Sequence, residues 1–180
     1  MPNLKEIRNR ITSVTSTMKI TSAMKMVSAA KLKKAQDAVT AMRPYSEKLG
    51  ELMSSFYDII SSSSVSQLSE SRDIKNVLLI PICSNKGLCG AFNSNVVKKV
   101  ISLKNQSNFS KANFSFLIIG KKANDIISKT ENVISNHSSI FENINYDDTA
   151  AIVDNIIELF TNGEYCLLYT SDAADEHSWV

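Results

Sequence analysis

The sequence has few of the residues that interrupt regular structure, with only five Gly and three Pro among 180 residues. Long, regular elements are therefore expected. It has no run of about 18 uninterrupted apolar residues, so no membrane-spanning helix is predicted. The first residues, "MPNLKEIRNR", lack the apolar core of a signal peptide, and Glu6 among the basic residues argues against a transit peptide. A cytosolic chain is expected. The three cysteines, Cys83, Cys89 and Cys166, are odd in number and fall at no metal-ligand spacing. They read as reduced, buried or half-buried thiols. There are only two histidines, His137 and His177, and neither lies in a recognisable motif. Cys89 thus has no evident activating base, and no catalytic set, metal site or cofactor site is predicted.

Charge is present but unevenly placed. Residues 1–60 hold ten Lys and Arg against five acids, within a chain whose net charge is only +2. A basic segment beside a mildly acidic remainder calls for an acidic partner. The same segment carries a heptad seam. Leu4, Ile7, Ile11, Val14 and Met18 fall on it, as do Leu32, Ala35, Val39 and Met42, and then Leu49, Met53, Phe56 and Ile60. Between the first two blocks the seam positions turn polar, at Thr21, Lys25 and Ser28. There the apolar side chains are displaced to Ile20, Ala23, Met24, Met26 and Val27. The pattern predicts one coiled-coil helix over about residues 4–60, on the order of 80 Å long if unbroken. Pro44 should bend or break it near residues 40–44. The rest of the chain offers no second long heptad run to cover the stripe. Its partner must be another copy, another protein, or a segment outside this sequence.

Residues 61–71, "SSSSVSQLSES", read as a linker. Beyond them strand and helix signals alternate. Strands are expected over 76–83, 114–120, 132–137 and 164–170, and helices over 92–106, 121–130 and 146–163. Asn93 or Ser94 is the expected cap of the first of these helices, and Gly163 the stop of the last. The order predicts a small Rossmann-like α/β module with a parallel sheet, over residues 72–165. After the first strand comes "SNKGLCGAFNSN", a Gly-containing loop leading into a helix. Many phosphate sites are built this way, but the spacing here is wrong for one. Gly87 and Gly90 form no G-x-G-x-x-G, and Lys86 precedes the glycines instead of following them. The glycines read instead as a tight turn or close backbone approach, with Lys86 and Cys89 displayed at the tip.

Two stretches carry a family resemblance. "MPNLKEIRNRITSVTSTMKITSAMKMVSAAKLKKAQ" with "RPYSEKL" resembles the N-terminal helix of the gamma subunit of F-type ATP synthase, and "CSNKGLCGAFNSN" resembles that family's second signature. The likeness is read over about residues 1–165. It implies a central-stalk rotor subunit in which this helix pairs with a C-terminal helix of the same chain inside a ring of alpha and beta subunits. The α/β module would sit at the foot, against the epsilon subunit and the c-subunit ring. Proton or sodium-ion flow would turn the shaft and drive ATP synthesis on the beta subunits. The gamma chain itself would be non-catalytic and without cofactor, bind no nucleic acid, and lie peripherally on the cytoplasmic face of a bacterial cell membrane. By the same resemblance the partner contacts are Ile20, Met24, Lys25, Met26, Lys31, Lys33 and Lys34 on the helix, and Lys86, Gly87, Leu88, Cys89 and Gly90 on the loop. Lys86 stands where the family has Arg, Asn85 where it has an acid, and Ala91 where it has Gly.

The likeness is expected to stop near the last strand. Residues 166–180, "CLLYTSDAADEHSWV", lack the family's apolar continuation and read as an atypical tail, foreign or frame-shifted. Two other functional readings stand beside the rotor: a nucleotide-binding α/β enzyme, and a homo-oligomeric coiled-coil scaffold.

Overall fold

A computed structural model describes residues 3–60, 68, 72–105 and 112–171. The linker reading over 61–71, apart from Leu68, and the tail reading beyond 171 fall outside the described residues. The chain divides into two units, Met1–Ser64 and Val65–Val180.

The first unit is a single helix, α1, over Leu4–Ile60. At 57 residues it is roughly 85 Å long. Asn3 opens it, its Oδ1 accepting from the Lys5 N–H at 3.3 Å. Ser and Thr are mediocre helix formers because their hydroxyls compete for the backbone. Here several hydroxyls donate instead to carbonyls one turn back: Thr12 to Arg8, Thr17 to Ser13, Thr21 to Thr17 and Ser55 to Glu51. The expected break near 40–44 does not occur, because α1 runs through Pro44 without interruption. Proline removes one backbone donor, and the turns on either side, with their own hydrogen bonds, carry the helix across it.

The second unit is a three-layer α/β sandwich. Its strands are β1 (Asn76–Pro81), β2 (Asn113–Ile118), β3 (Val133–Asn136) and β4 (Leu167–Ser171). They form one sheet of order β3-β2-β1-β4, parallel throughout. The helices are α2 (Phe92–Lys104), α3 (Lys121–Ile127) and α4 (Tyr146–Thr161), with a 3-10 turn at Ser138–Phe141. Alternation along the strands splits the core in two. Val77 and Leu79 of β1 and Phe116 and Ile118 of β2 pack against Val96, Val97 and Val100 of α2 and Ala123 and Ile127 of α3. Leu78, Ile80 and Leu117 point to the opposite face, where Ile152, Ile156 and Leu159 of α4 cover them. Both faces of the two central strands are buried, which is why they read as unbroken apolar runs. The parallel sheet, three helices and long leading helix match the architecture expected from the sequence.

Three local expectations are corrected. First, α2 is not capped by Asn93 or Ser94. Its N-cap position is Ala91, with no side-chain cap bond, because the Asn93 amide is used elsewhere. Second, β1 stops at Pro81, beyond which only an isolated bridge, Ile82 to Ile119, continues the pairing. Third, Gly87 is not a left-handed turn position; Leu88 (φ 63°) and Gly90 (φ 60°) are. Gly163 ends α4 as read, at φ 77°, with its N–H donating to the Phe160 carbonyl at 3.0 Å. Arg72 anchors the start of this unit. Its guanidinium donates to the Phe160 carbonyl at 2.6 Å and lies 4.7 Å from the centre of the Phe160 ring.

Candidate functional site

Strand order places the 84–91 loop at a special point. From β1 the chain moves outward through β2 to β3, then returns to the far side of β1 as β4. Beyond the carboxyl ends of β1 and β4 lies the switch point at which open α/β sheets commonly bind ligands. The loop after β1 projects from there.

The loop has a clasped base and a bare tip. At the base, Asn93 Oδ1 accepts from the Ser84 N–H at 3.0 Å, and Asn93 Nδ2 donates to Ser84 Oγ at 2.9 Å. Ser84 Oγ in turn donates to the Lys86 carbonyl at 2.6 Å. Asn93 Nδ2 also lies 3.2 Å from Cys89 Sγ. Asn85 ties the loop to two other segments. Its Nδ2 donates to the Ser138 carbonyl at 2.7 Å, and its Oδ1 accepts from the Lys121 N–H at 2.9 Å. The tip, residues 86–90, is exposed throughout. Leu88 is its extreme, with a relative exposure of 109%.

Under the base lies Cys83, which is buried. Its Sγ accepts from the Ala123 N–H at 3.0 Å, at the start of α3. Burial pushes its thiol pKa up, while the Ala123 and Lys122 N–H groups pull the other way. It is held protonated, as a packing residue. Gly120 crosses over Cys83 at φ 123°, so close that a Cβ there would overlap the Cys83 carbonyl oxygen. The close backbone approach expected in this region is thus real, but it falls at Gly120.

The strand ends themselves are a poor phosphate cradle. Such a cradle needs free N–H groups aimed outward from the strand ends. Here those of Ser84, Lys121, Lys122 and Ala123 are all taken by protein acceptors: Asn93, Asn85, the Ser84 carbonyl and Cys83. No group of three or more potential metal ligands occurs among the described residues.

The second candidate surface is α1 itself. Ile20, Met24, Lys25, Met26, Lys31, Lys33 and Lys34 are all exposed, as is the seam from Leu4 to Phe56. Its large apolar side chains range from 43% exposed at Ile7 to 70% at Met26. No helix among the described residues is long and apolar enough to cross a membrane.

Comparison with known proteins meets both surfaces at once. A sequence model described as "ATP synthase" matches residues 3–173, covering α1, the loop and all four strands. The chain belongs to the ATP synthase gamma-chain family. A gamma chain from Flavobacterium johnsoniae is 54% identical over 166 residues, covering 92% of this chain and 57% of that protein. Those of Flavobacterium psychrophilum and Christiangramia forsetii are 54% and 47% identical, with the same 92% and 57% coverage. The chain thus spans a little over half the length of these gamma-chain relatives. The family match also runs through β4 to residue 173, past the limit of about 165 read from the sequence.

The structure gathers Lys86, Gly87, Leu88, Cys89 and Gly90 into one exposed tip, and strings the other seven candidates along one stretch of α1. Sequence reading did not find Asn85, Asn93 and Gly120. The only sequence signal for them was the pairing of an Asn-flanked loop with a Gly closing the next strand.

Proposed function

We propose that this chain is the central-stalk rotor subunit of a proton- or sodium-translocating ATP synthase, a mechanical element with catalysis on the beta subunits. The observation that carries the reading is the apolar stripe of α1, exposed from Leu4 to Phe56. Such a stripe is not stable in water alone, and a surface of this size signals a partner. In this reading the seam blocks at 4–18 and 32–60 pair with the C-terminal helix of the same gamma chain. The displaced stretch at Ile20, Met24 and Met26 faces the alpha and beta ring instead. Unbranched Met side chains adapt to a surface that changes as the shaft turns. Lys25, Lys31, Lys33 and Lys34 meet acidic segments of the ring, giving orientation more than affinity. The 86–90 tip docks on a beta subunit, and the α/β unit meets the epsilon subunit and the c-subunit ring at the cytoplasmic face of the cell membrane.

The test is reconstitution of the gene's complete product with alpha and beta subunits, carrying a photo-crosslinker in place of Met24. The expected result is a stable complex with crosslinks from position 24 to alpha or beta. Crosslinks only to a second gamma copy would establish the scaffold reading instead. Saturable ATP binding by the isolated chain would establish the nucleotide-binding one.

A further inference from the structure

Asn162 and Gly163 form the one Asn-Gly pair in the chain. In such a pair the glycine has no Cβ to shield its backbone nitrogen from the neighbouring side-chain amide. Once that nitrogen loses its proton to solvent, it can attack Asn162 Cγ and expel ammonia, leaving a five-membered succinimide. Water then opens the ring, at Cγ to give Asp or at the main-chain carbonyl to give isoaspartate. The net change is one water in and one ammonia out, with no other reactant.

The pair sits where this reaction is accessible but held back. Asn162 and Gly163 are exposed just past the end of α4. The Asn162 side-chain amide has no hydrogen bond among the described residues, whereas that of Asn93, which precedes Ser94, is held by Ser84. The attacking nitrogen is not free. The Gly163 N–H donates to the Phe160 carbonyl at 3.0 Å, and Asn162 keeps a helical backbone at φ −69° and ψ −7°. Ring closure requires breaking that bond and turning Asn162 out of the helix. The Arg72 guanidinium donates to the same carbonyl at 2.6 Å and lies over the buried Phe160 ring. A side chain 88 positions away thus pins the turn that must open.

Neither product suits this turn. Asp at 162 would put a negative charge at the negative end of α4, which has no basic residue in its last turn. Isoaspartate would insert an extra backbone carbon before Gly163, where the Glu164 and Tyr165 N–H groups fold back on the Leu159 carbonyl at 3.2 and 3.4 Å. Immediately beyond, Asn76 Nδ2 donates to the Glu164 carbonyl and the Cys166 N–H to the Asn76 carbonyl, both at 2.9 Å, which sets β4 beside β1.

We propose that Asn162–Gly163 is a self-modifying deamidation site, kept closed by the α4 cap with Arg72 as its positioning residue, and that its isoaspartyl product loosens the entry to β4. The inference does not depend on the rotor reading.

The gene's complete product is incubated at mildly alkaline pH, folded and in urea, and Asp and isoaspartate at each Asn are separated by peptide mapping with mass spectrometry. The unfolded chain should convert at Asn162 ahead of every other Asn. The folded chain should convert there at least about tenfold more slowly, since the cap must open first. Arg72→Ala should raise the folded rate about 5- to 30-fold and leave the unfolded rate unchanged, with Arg72→Lys between. Asn93 is the internal control. If it converts in step with Asn162 in Arg72→Ala, the whole unit has opened and Arg72 is not the lock. A folded chain that converts as fast as the unfolded one would overturn protection by the cap. An unfolded chain with no preference for Asn162 would overturn the site itself. The purified isoaspartyl product should unfold at lower urea than fresh protein, and an unchanged midpoint would overturn the loosening of β4.

Discussion

Replacing Gly120 by Ala tests how the 84–91 loop is supported. The residue sits at φ 123°, outside the range of L side chains, which for Ala costs on the order of 1–3 kcal/mol. The new methyl would also overlap the Cys83 carbonyl oxygen and lie 2.7 Å from its Sγ. A long side chain could swing away, but the carbonyl belongs to the segment that leaves the central strand, and the Cys83 N–H is bonded to the Ile119 carbonyl at 2.9 Å. The overlap can be relieved only by separating the ends of β1 and β2. That also breaks the Ala123 to Cys83 bond and the Asn85 clasp on Lys121. The sum should be about 4 kcal/mol or more, at the exceptional end for one substitution. Urea unfolding monitored by far-UV circular dichroism would measure it, and maleimide labelling would show Cys83 reacting far faster than in the native chain. The double variant Cys83→Ala, Gly120→Ala separates the two obstacles. It removes the sulfur and leaves the carbonyl, so it should recover little. Near-native stability of Gly120→Ala, or full recovery in the double variant, would refute the backbone overlap as the cause.

The other perturbations are smaller. Ser171 is buried at the end of β4 and its hydroxyl has no hydrogen-bond partner among the described residues, so Ser171→Ala should stabilise the α/β unit by about 1 kcal/mol in urea unfolding. Arg72→Ala removes both the bond to the Phe160 carbonyl and the ring contact. It should lower stability by about 1–2 kcal/mol, with Arg72→Lys intermediate because it keeps a charge but loses the planar fork. Cys83 has a folded pKa above its ordinary 9.0. Its contribution is fully present below that pH and is lost as pH rises through the folded value, because the unfolded thiol ionises first. The stability difference between the native chain and Cys83→Ala should therefore be constant below about pH 9 and shrink above it. A difference that grows with pH would contradict the assignment of burial as the main cause.

The α/β unit was legible because its signals are local and repeated. The runs around Leu78 and Leu117 could hardly be anything but strands buried on both faces, and Gly163 marked a helix end. What stayed hidden depended on contacts between distant segments. Asn93 looked like a helix cap because Asn before an apolar run usually is one. Only the fold brings Ser84 within reach and gives the amide better partners there. Gly87 and Gly90 both looked like turn glycines, but only Gly90 has the left-handed backbone; the other such position is Leu88, and sequence alone does not reveal a strained leucine. Pro44 looked like a break because proline usually is one in the interior of a helix, yet flanking turns with their own bonds carry α1 across it. Lys86 and Cys89 were expected at the tip of the loop, and both are exposed there with the rest of 86–90. The clasp beneath them was missed because asparagine has no fixed meaning without its partners.

The two candidate surfaces are built on opposite physical principles, which bears on what each could do in a rotor. Along α1 the displaced stripe uses Ile20, Met24 and Met26, exposed side chains that nothing among the described residues holds in one rotamer. Such a surface binds many slightly different faces weakly, because each Met can repack at little cost. The tip does the reverse. Leu88 and Lys86 stand on a base fixed by Ser84, Asn85 and Asn93, so the loop fits one shape and should be lost on a small change in it. A shaft that had to slip past three successive beta subunits would gain from the first kind of contact. A point that had to transmit force to one subunit at a time would need the second, since a compliant loop would absorb displacement instead of passing it on. On the rotor reading, loosening the base without touching the tip, as Asn93→Ala does by removing both bonds to Ser84, should therefore impair coupling more than assembly. On the same reading, stiffening the stripe, for instance by Met24→Ile, should slow turnover without loosening the base of the loop.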